Sequence, residues 1–329
     1  MSNRIAMPSF QLNLNSKNSI AFTWNVRTNV NVDGITQDLA TLAYNGFDYK
    51  TLLSKNLSAH NLSIQTMTWA EYGITYGRVL KDDNEHFFKV GGTLKVLQGI
   101  QAAYMFVKDL SYNFANKDTI SILHSTFSYG HSNNFEFKNG NTPSYQFVSS
   151  PGLGMDLGAV YEWRPDYKSY KFDMDGKTDL WRRDKNKYRL KVGFSILDIG
   201  AVKFQKGDLS HNFTADVGFW NLKPISPKSV KDFDDTLQKR FPQGKNDPYF
   251  YMKLPTAIST QIDLNVWKDF YLNLTPYFAF QFRNSTTKVH DFTTISFTPR
   301  YDHKWFGIFL PVQFNTLDQY RFGASIRLG

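Results

Sequence analysis

The chain of 329 residues is 41% hydrophobic and 16% aromatic, with no cysteine and a formal net charge of +9. It is too apolar for a disordered protein, and the missing thiols exclude disulfides, thiol catalysis and zinc–cysteine sites. The 38 basic residues are spread along the chain and do not gather in one block. We therefore expect no nucleic-acid partner.

The first predicted element is a long strand at residues 19–32. Ile20, Phe22 and Trp24 share one parity, whereas Asn25 and Arg27 belong to the other. Side chains of a strand point alternately to its two faces, so this segment has one apolar face and one polar face. It is more than twice as long as a typical globular strand of about 5–6 residues.

The same alternation recurs to the end of the chain. Weaker strands are predicted at 64–80, 86–97, 100–107 and 118–129, and clear ones at 153–163, 188–196, 260–267, 270–282, 293–301, 305–314 and 320–328. The total is about twelve strands, with lengths near the ~9–11 residues of a tilted membrane strand.

The predicted connections differ sharply in length. Short turns are predicted at 81–85, 268–269 and 302–304, and long polar connections at 33–63, 130–152, 165–187 and 205–254. Two connections contain candidate helices. The weaker is 35–44; the stronger is 227–241, with Ser226 as cap and Pro227 at the first helical position. Its apolar face carries Val230, Phe233, Leu237 and Phe241. No linker or repeat divides the chain, which indicates a single domain over 1–329.

Two architectures accommodate strands of this kind. A soluble sandwich buries the apolar face, whereas a transmembrane barrel turns it to lipid and lines a lumen with the polar face. The longest apolar run, 305–312, is far shorter than the roughly 18 residues of a spanning helix. Small polar residues, aromatic strand borders and the uneven connections favour an all-β, transmembrane antiparallel β-barrel of about 12–14 strands, with long loops containing short helices.

This architecture assigns a face to each strand residue. The charged residues predicted to face the lumen are Arg27, Glu71, Asp156, Glu162, Lys191, Asp263, Arg300 and Arg327. The residues predicted to face lipid include Phe22, Leu157, Leu264, Leu272, Ile308 and Phe322. The aromatic borders are predicted at Trp24, Tyr72, Tyr76, Tyr161, Trp163, Trp267, Phe270, Tyr301, Trp305 and Tyr320.

Motifs for chemistry are sparse. The histidines form no HExxH pattern, and "GFSIL" at 193–197 lacks the last glycine of a nucleophile elbow. Asp173, Asp175 and Asp179 surround Gly176 in an oxygen-rich turn of the kind calcium favours, but the distal glutamate of an EF-hand is missing. A solvated turn is the simpler interpretation. We expect no enzymatic activity and no cofactor, with calcium as the open alternative.

Six motifs together resemble a known family. They are "GGTLKVLQGIQAAY" (91–104), "GLGMDLGAVYEWRP" (152–165), "YRLKVGFSILDIGAVKF" (188–204), "LPTAISTQIDLNVWKDFYLNL" (254–274), "FTPRYDHKWFGIFLPV" (297–312) and "YRFGASIRLG" (320–329). In this order they resemble an uncharacterised family of Bacteroidota outer-membrane β-barrels. Its members often carry a C-terminal OmpA-like domain and are related to the PorP/SprF group of type IX secretion and gliding, and distantly to FadL-like barrels.

The resemblance implies a location in the bacterial outer membrane, surrounded by lipid and lipopolysaccharide, and a lipoprotein or secretion-system component as a candidate partner. It supplies no catalytic residues. No signal peptide precedes residue 1, and the chain stops at Gly329 with neither a terminal aromatic residue nor an OmpA-like domain. We therefore expect a piece truncated at one or both ends.

The expected function is a structural or accessory role in an envelope assembly or a type IX secretion or gliding-type assembly. Two alternatives stay open. The first is a passive transporter that carries small hydrophobic or anionic molecules through the lumen. The second is a soluble glycan-binding β-sandwich.

Overall fold

The structure is a computed structural model, and it describes residues 1–46, 49–138, 142–145, 148, 150–182, 185–223, 230–280 and 287–328. The strands are β1 Ser2–Ala6, β2 Phe10–Asn13, β3 Asn18–Asp33, β4 Leu57–Ala59, β5 Leu62–Asp82, β6 His86–Asn116, β7 Thr119–His131, β8 Phe135–Lys138, β9 Thr142–Tyr145, β10 Gly152–Trp163, β11 Lys171–Met174, β12 Lys177–Trp181, β13 Leu190–Gln205, β14 His211–Asn221, β15 Tyr249–Lys253, β16 Ala257–Trp267, β17 Phe270–Ala279, β18 Thr294–Asp302, β19 Phe306–Phe309, β20 Val312–Asn315, β21 Tyr320–Phe322 and β22 Ser325–Leu328. The helices are α1 Gln37–Asn45 and α2 Val230–Arg240, with a 3-10 helix at Tyr167–Tyr170.

Most strands belong to one large antiparallel sheet. Its ladders follow the order β1/β2–β3–β5–β6–β10–β13–β15/β16–β17–β18–β19/β20–β21/β22, where a slash joins two short strands in line. The all-β prediction is confirmed at this level. The predicted strands 86–97 and 100–107 are one strand, β6, which pairs with β10 through its first half and with β7 through its second. Because β7 also pairs with β14, the sheet has a lateral extension there.

Contacts across the sheet show that it is rolled. β3 and β13 are four ladder steps apart, which is roughly 19 Å in a flat sheet at about 4.8 Å per step. Yet Arg27 Nη1 of β3 lies 2.7 Å from Asp198 Oδ2 of β13. Asn29 of β3 and Tyr277 of β17, six steps apart, both donate hydrogen bonds to Asp291, at 3.0 and 3.1 Å. We call the face on which these side chains meet the inner face.

The sheet is rolled but not seen to close. Within the described residues no ladder joins the edge strands β1/β2 and β21/β22, so no closed barrel is detected. The path has eleven strand positions among those residues, and neighbours alternate in direction. The two edge positions therefore run in the same direction.

The two ends of the sheet have different connections. One end, which we call the hairpin end, has the turns 14–17, 83–85, 268–269 and 303–305. The opposite end, the loop end, has most of the long connections. Residues 164–189 depart from the predicted asymmetry, because this long connection lies at the hairpin end, where it contains the 3-10 helix and the β11–β12 hairpin.

The connection predicted at 205–254 is more structured than expected, because it contains β14 and β15 besides α2. The alternation of Phe213, Ala215 and Val217 in β14 was the missed signal. All three belong to one apolar cluster with Phe241, against which Leu237 of α2 packs. Ser226 and Pro227 lie outside the described residues, as do the side chains of Val230 and Phe233.

The other predicted helix, α1, has recognisable ends. Thr36 Oγ1 accepts a hydrogen bond from the Leu39 N–H at 3.3 Å, and the helix ends at Gly46 with φ of 88°. Its Leu42 packs in a cluster with Leu57 of β4 and with residues of β6. Both predicted helices therefore exist and cover apolar parts of the sheet at the loop end.

A third apolar cluster occupies the inner face at the loop end. We call it the inner apolar cluster; it consists of Met67, Trp69, Leu97, Ala102, Tyr104, Val202, Phe204, Phe250, Met252, Leu254 and Val289. These side chains come from β5, β6, β13, β15 and residues near them. They are buried because the rolled sheet brings these strands together.

The face opposite the inner face, the outer face, carries large apolar side chains in contact with solvent. Leu94, Leu153 and Phe322 are 70%, 75% and 78% exposed. Burial of apolar side chains is the main driving force of folding in water. An exposed apolar surface of this extent is therefore typical of a face that contacts a membrane or another protein. No helix in the described part of the chain has the length and hydropathy of a membrane span.

Candidate functional site

The inner face holds a group of ionised side chains, which we call the central ionic network. Asp198 accepts hydrogen bonds from Arg27 Nη1 and from Lys95 Nζ, each at 2.7 Å. Lys95 also pairs with Asp156 at 2.7 Å, and Arg27 with Glu71 at 3.4 Å. All five side chains are at most 20% exposed. Such burial is tolerated only because each charge has a partner of opposite sign.

A local irregularity in β13 places Asp198 in the network. The residue has a φ of 56°, a conformation that Asp and Asn tolerate better than most residues. Its N–H donates to Asp156 Oδ1 at 2.7 Å, and the β10–β13 register shifts beside Asp156. At this point β13 changes neighbour: Leu197 pairs with β16, and Ala201 with β15. The carboxylate thus points across the curve at a bulge.

Residues 287–293 form a second feature of the inner face, which we call the inserted segment. The side chain of Asn31 in β3 both donates to the His290 carbonyl at 2.8 Å and accepts from the His290 N–H at 2.9 Å. Gln65 of β5 accepts from the Lys288 N–H at 2.7 Å. Asp291 lies 3.8 Å from Arg27, next to the central ionic network. The segment before β18 is therefore anchored on strands far from it in the sheet.

His290 adds a titratable contact to this anchor. Its Nε2 lies 2.9 Å from Asp33 Oδ2, and its Nδ1 lies 3.2 Å from the Asp291 carbonyl oxygen. Burial alone lowers the pKa of His290, but the hydrogen bond and attraction to Asp33 outweigh it, so the pKa is raised above the usual value. The inserted segment is thus held more firmly when His290 is protonated.

We expect this contact to make stability depend on pH. The pKa of His290 is higher in the folded state than in the unfolded state. The His290–Asp33 contact therefore contributes fully to the free energy of unfolding below the unfolded-state pKa of about 6.5. That contribution is lost as the pH rises through the folded-state pKa. Urea unfolding of the wild type and of Asp33→Asn from pH 5.5 to 8.5 checks this. The variant should be less stable at pH 5.5 and should approach the wild type at pH 8.5. A stability difference that is the same at every pH would contradict the assignment.

A second ionic group lies nearer the hairpin end. Asp263 accepts from Tyr188 Oη and from Arg300 Nη2, both at 2.7 Å. Arg300 also donates to Tyr188 Oη at 2.9 Å, and its guanidinium lies 4.6 Å from the ring centroid of Tyr271. These contacts join β16 and β18 to Tyr188, two residues before β13, and fill part of the inner face.

Two smaller groups of paired charges lie at the same end. Glu162 pairs with Arg164 at 2.6 Å and with Lys191 at 3.8 Å. Arg327, 53% exposed in its side chain, pairs with Asp302 at 2.8 Å. Charges of both signs therefore lie on the inner face, paired with one another.

Between the ionic groups lies a cavity of about 1140 Å³. Much of its lining is small or polar, including Ser19, Thr75, Gly91, Gly193, Ser195 and Ser259. Asp156 borders it on the side of the central ionic network. The cavity exists because glycine residues and short hydroxyl side chains leave space that larger side chains would fill.

The structure gives each predicted lumen-facing residue a place. Arg27, Glu71 and Asp263 are buried, Asp156, Glu162 and Arg300 are mostly covered, and Lys191 and Arg327 are more accessible. Arg27, Glu71 and Asp156 come together in one network, and Asp263 meets Arg300 in the other. Of the residues predicted on the opposite parity, Leu157, Leu264, Ile308 and Phe322 are exposed, whereas Phe22 and Leu272 are partly covered.

Sequence reasoning missed two members of the central ionic network. Lys95 shares the parity of Thr93 and alternates with Leu94 and Val96, so its face could have been inferred. Asp198 gave no such signal, because it sits at the bulge where the alternation of β13 breaks.

The proposed calcium turn forms the β11–β12 hairpin. Asp173 Oδ1 accepts a hydrogen bond from the Asp179 N–H at 2.9 Å, and Asp175 and Asp179 have φ of 54° and 60°. All three aspartates are exposed. Among the described residues no three histidine or acidic side chains are grouped to hold a metal ion. Calcium binding stays a prediction.

Comparison with known sequences places the chain in a family. The chain belongs to the family of unknown function DUF5723, whose model matches residues 1–329. No curated protein matches it.

Proposed function

We propose that the chain is a transmembrane β-barrel of the bacterial outer membrane with a structural or accessory role in an envelope or secretion assembly. The observation that carries the proposal is the inverted polarity of the rolled sheet. Arg27, Lys95 and Asp263 are 8%, 8% and 2% exposed, whereas their strand neighbours Leu94 and Leu264 are 70% and 40% exposed. In lipid this arrangement is the favourable one, since the outer face meets hydrocarbon and the charges pair inside.

Aromatic residues support a membrane border at the hairpin end. Trp163 ends β10, Trp267 and Phe270 flank the β16–β17 turn, and Tyr301 and Trp305 lie beside or in the β18–β19 turn. Amphipathic rings favour the headgroup level of a bilayer, where barrels carry aromatic girdles. The outer membrane as the location comes from the resemblance to Bacteroidota barrels and is part of the proposal.

Strand direction sets the condition under which the wall could close. The eleven positions traced in the described residues leave two edges that run the same way. An antiparallel ladder between them therefore needs an odd number of further strands, which gives twelve or fourteen in all. A closed wall leaves no unpaired backbone groups in hydrocarbon.

A structural role fits the filled interior better than a pore does. The central ionic network joins β3, β6 and β13 across the curve, and the inserted segment lies beside it. The inner apolar cluster occupies the loop end. An ion crossing the interior would have to displace paired charges and packed side chains.

Planar-bilayer recordings with the purified chain test this role. We expect insertion without large, stable conductance steps. A general porin of known conductance serves as the positive control for the bilayer. Large and reproducible single-channel steps from the wild type would contradict the structural role.

The cavity of about 1140 Å³ favours a second candidate function, a passive transporter of small molecules. For transport, the ion pairs that Asp198 forms with Arg27 and Lys95 would have to break. Uptake of small hydrophobic or anionic solutes into liposomes containing the chain, measured against empty liposomes, decides between the two. Uptake that rises with the chain would favour transport.

A further inference from the structure

A groove separate from the central ionic network lies at the loop end. Its volume is about 1000 Å³, and it is bounded by the face of the β6–β7–β14 extension on one side and by β15 with residues 244–248 on the other. We call it the basic aromatic groove. Its lining includes Phe106, Lys108, Lys206, Asn212, Tyr249 and Tyr251.

The walls of the groove are aromatic. Phe106 and Tyr104 have ring centroids 5.5 Å apart, and Tyr104 meets Phe250 edge-on at 5.1 Å. Tyr249 and Tyr251 remain 47% and 56% exposed, although they line a concavity. Exposed rings in a concave site offer flat apolar area to a ligand with little ordering cost.

The charge of the groove is positive. Lys108, Lys206 and Lys253 line it, with Asp247 as its only acidic lining residue among the described ones. The ammonium of Lys206 donates to a neutral partner, Asn246 Oδ1, at 2.6 Å and lies 5.9 Å from the Tyr104 ring centroid. No ion pair involves these three lysines within the described part of the chain.

The ammonium of Lys206 is partly removed from solvent at the edge of the groove. Burial lowers its pKa, and the attraction of Asp247 does not compensate. A partly desolvated ammonium without a carboxylate at contact distance gains most from an incoming anion, because the interaction is screened less than at an open surface. The nearby side chains of Ser128, Asn212 and Thr214 provide further polar contacts.

We propose that the basic aromatic groove binds a small anion with a flat apolar body, such as an aromatic carboxylate. The ring of the ligand would lie against Phe106 and Tyr251, and its carboxylate would meet Lys206. The site goes beyond the structural role proposed above and does not depend on it, because the groove lies on the extension at the loop end and not on the central ionic network.

Isothermal titration with 2-naphthoate and 2-naphthamide tests the proposal, since the two probes share their rings and differ in charge. The intact chain in lipid nanodiscs is titrated, and empty nanodiscs are subtracted. We expect saturable binding of one 2-naphthoate per chain, at least tenfold tighter than 2-naphthamide. Lys206→Gln should remove the preference for the anion, and Tyr251→Ala should weaken both probes.

Lys117→Gln is the matched control, since it removes an exposed lysine in the β6–β7 turn outside the groove, and it should bind as the wild type does. Far-UV circular dichroism identifies any variant that fails to fold. If Lys206→Gln fails to fold, Lys253→Gln is titrated in its place. The proposal is overturned by the absence of saturable binding, by equal affinity for the two probes, or by an unchanged preference in the folded lysine variants. None of these outcomes bears on conductance, so failure of the groove and failure of the structural role are separable.

Discussion

Asp198→Asn should lower the free energy of unfolding by about 3 kcal/mol, because it removes the anion shared by two buried cations. Arg27 and Lys95 each lie 2.7 Å from this carboxylate. Asparagine keeps the size of the side chain and tolerates the φ of 56°, so the charge is the main change. Urea unfolding of the chain in phospholipid vesicles, followed by tryptophan fluorescence, gives the value.

The matched control for this prediction is Asp83→Asn. Asp83 pairs with Lys81 at 2.9 Å, but that pair is exposed to solvent at the hairpin end, and its loss should leave the unfolding midpoint unchanged. Equal small effects of the two substitutions would contradict the view that the central ionic network holds the rolled sheet together.

Ile262→Arg should cost about 2–4 kcal/mol of stability in vesicles, because it places a charge on the outer face near the middle of a spanning strand. Ile262 is 37% exposed and lies at the centre of β16, between Leu274 of β17 and Val192 of β13. In a sheet that faces water, the same substitution at a partly exposed site would cost little. The unfolding free energy in vesicles therefore separates the two architectures.

Leu80→Arg gives the depth control. Leu80 is 55% exposed and lies two residues before the end of β5, at the hairpin end. Near a bilayer interface the cost of arginine falls to about 0–1 kcal/mol. If Ile262→Arg proves as mild as Leu80→Arg, the outer face does not meet hydrocarbon.

Strand existence and face could be predicted because they depend on local alternation. Asp263 and Leu264 are neighbours in sequence, and the structure places the first at 2% exposure and the second at 40%. The long strand β3 could be predicted for the same reason, because the alternation of polar and apolar residues persists through Arg27 and Asn31. Both helices could be predicted from the helical spacing of their apolar residues.

The assembly of the site could not be predicted, because it depends on contacts between distant strands. Asp198 sits at a bulge, where periodicity gives no face, and its partner Arg27 is 171 positions away in the chain. Asp291 lies in a segment without any period, and only the rolled sheet brings it to Asn29 and Tyr277. The merging of two predicted strands into β6 likewise follows from its two successive neighbours, β10 and β7.

Spin-label accessibility along β16 tests the central claim most directly. The chain has no cysteine, so Ser259→Cys, Gln261→Cys, Ile262→Cys and Leu264→Cys each give a single labelling site. In lipid nanodiscs, the labels at 262 and 264 should be relaxed more by oxygen, which concentrates in hydrocarbon, than by a water-soluble nickel chelate. The labels at 259 and 261 should show the reverse. Preferential relaxation of the labels at 262 and 264 by the nickel chelate would contradict a membrane-facing outer surface.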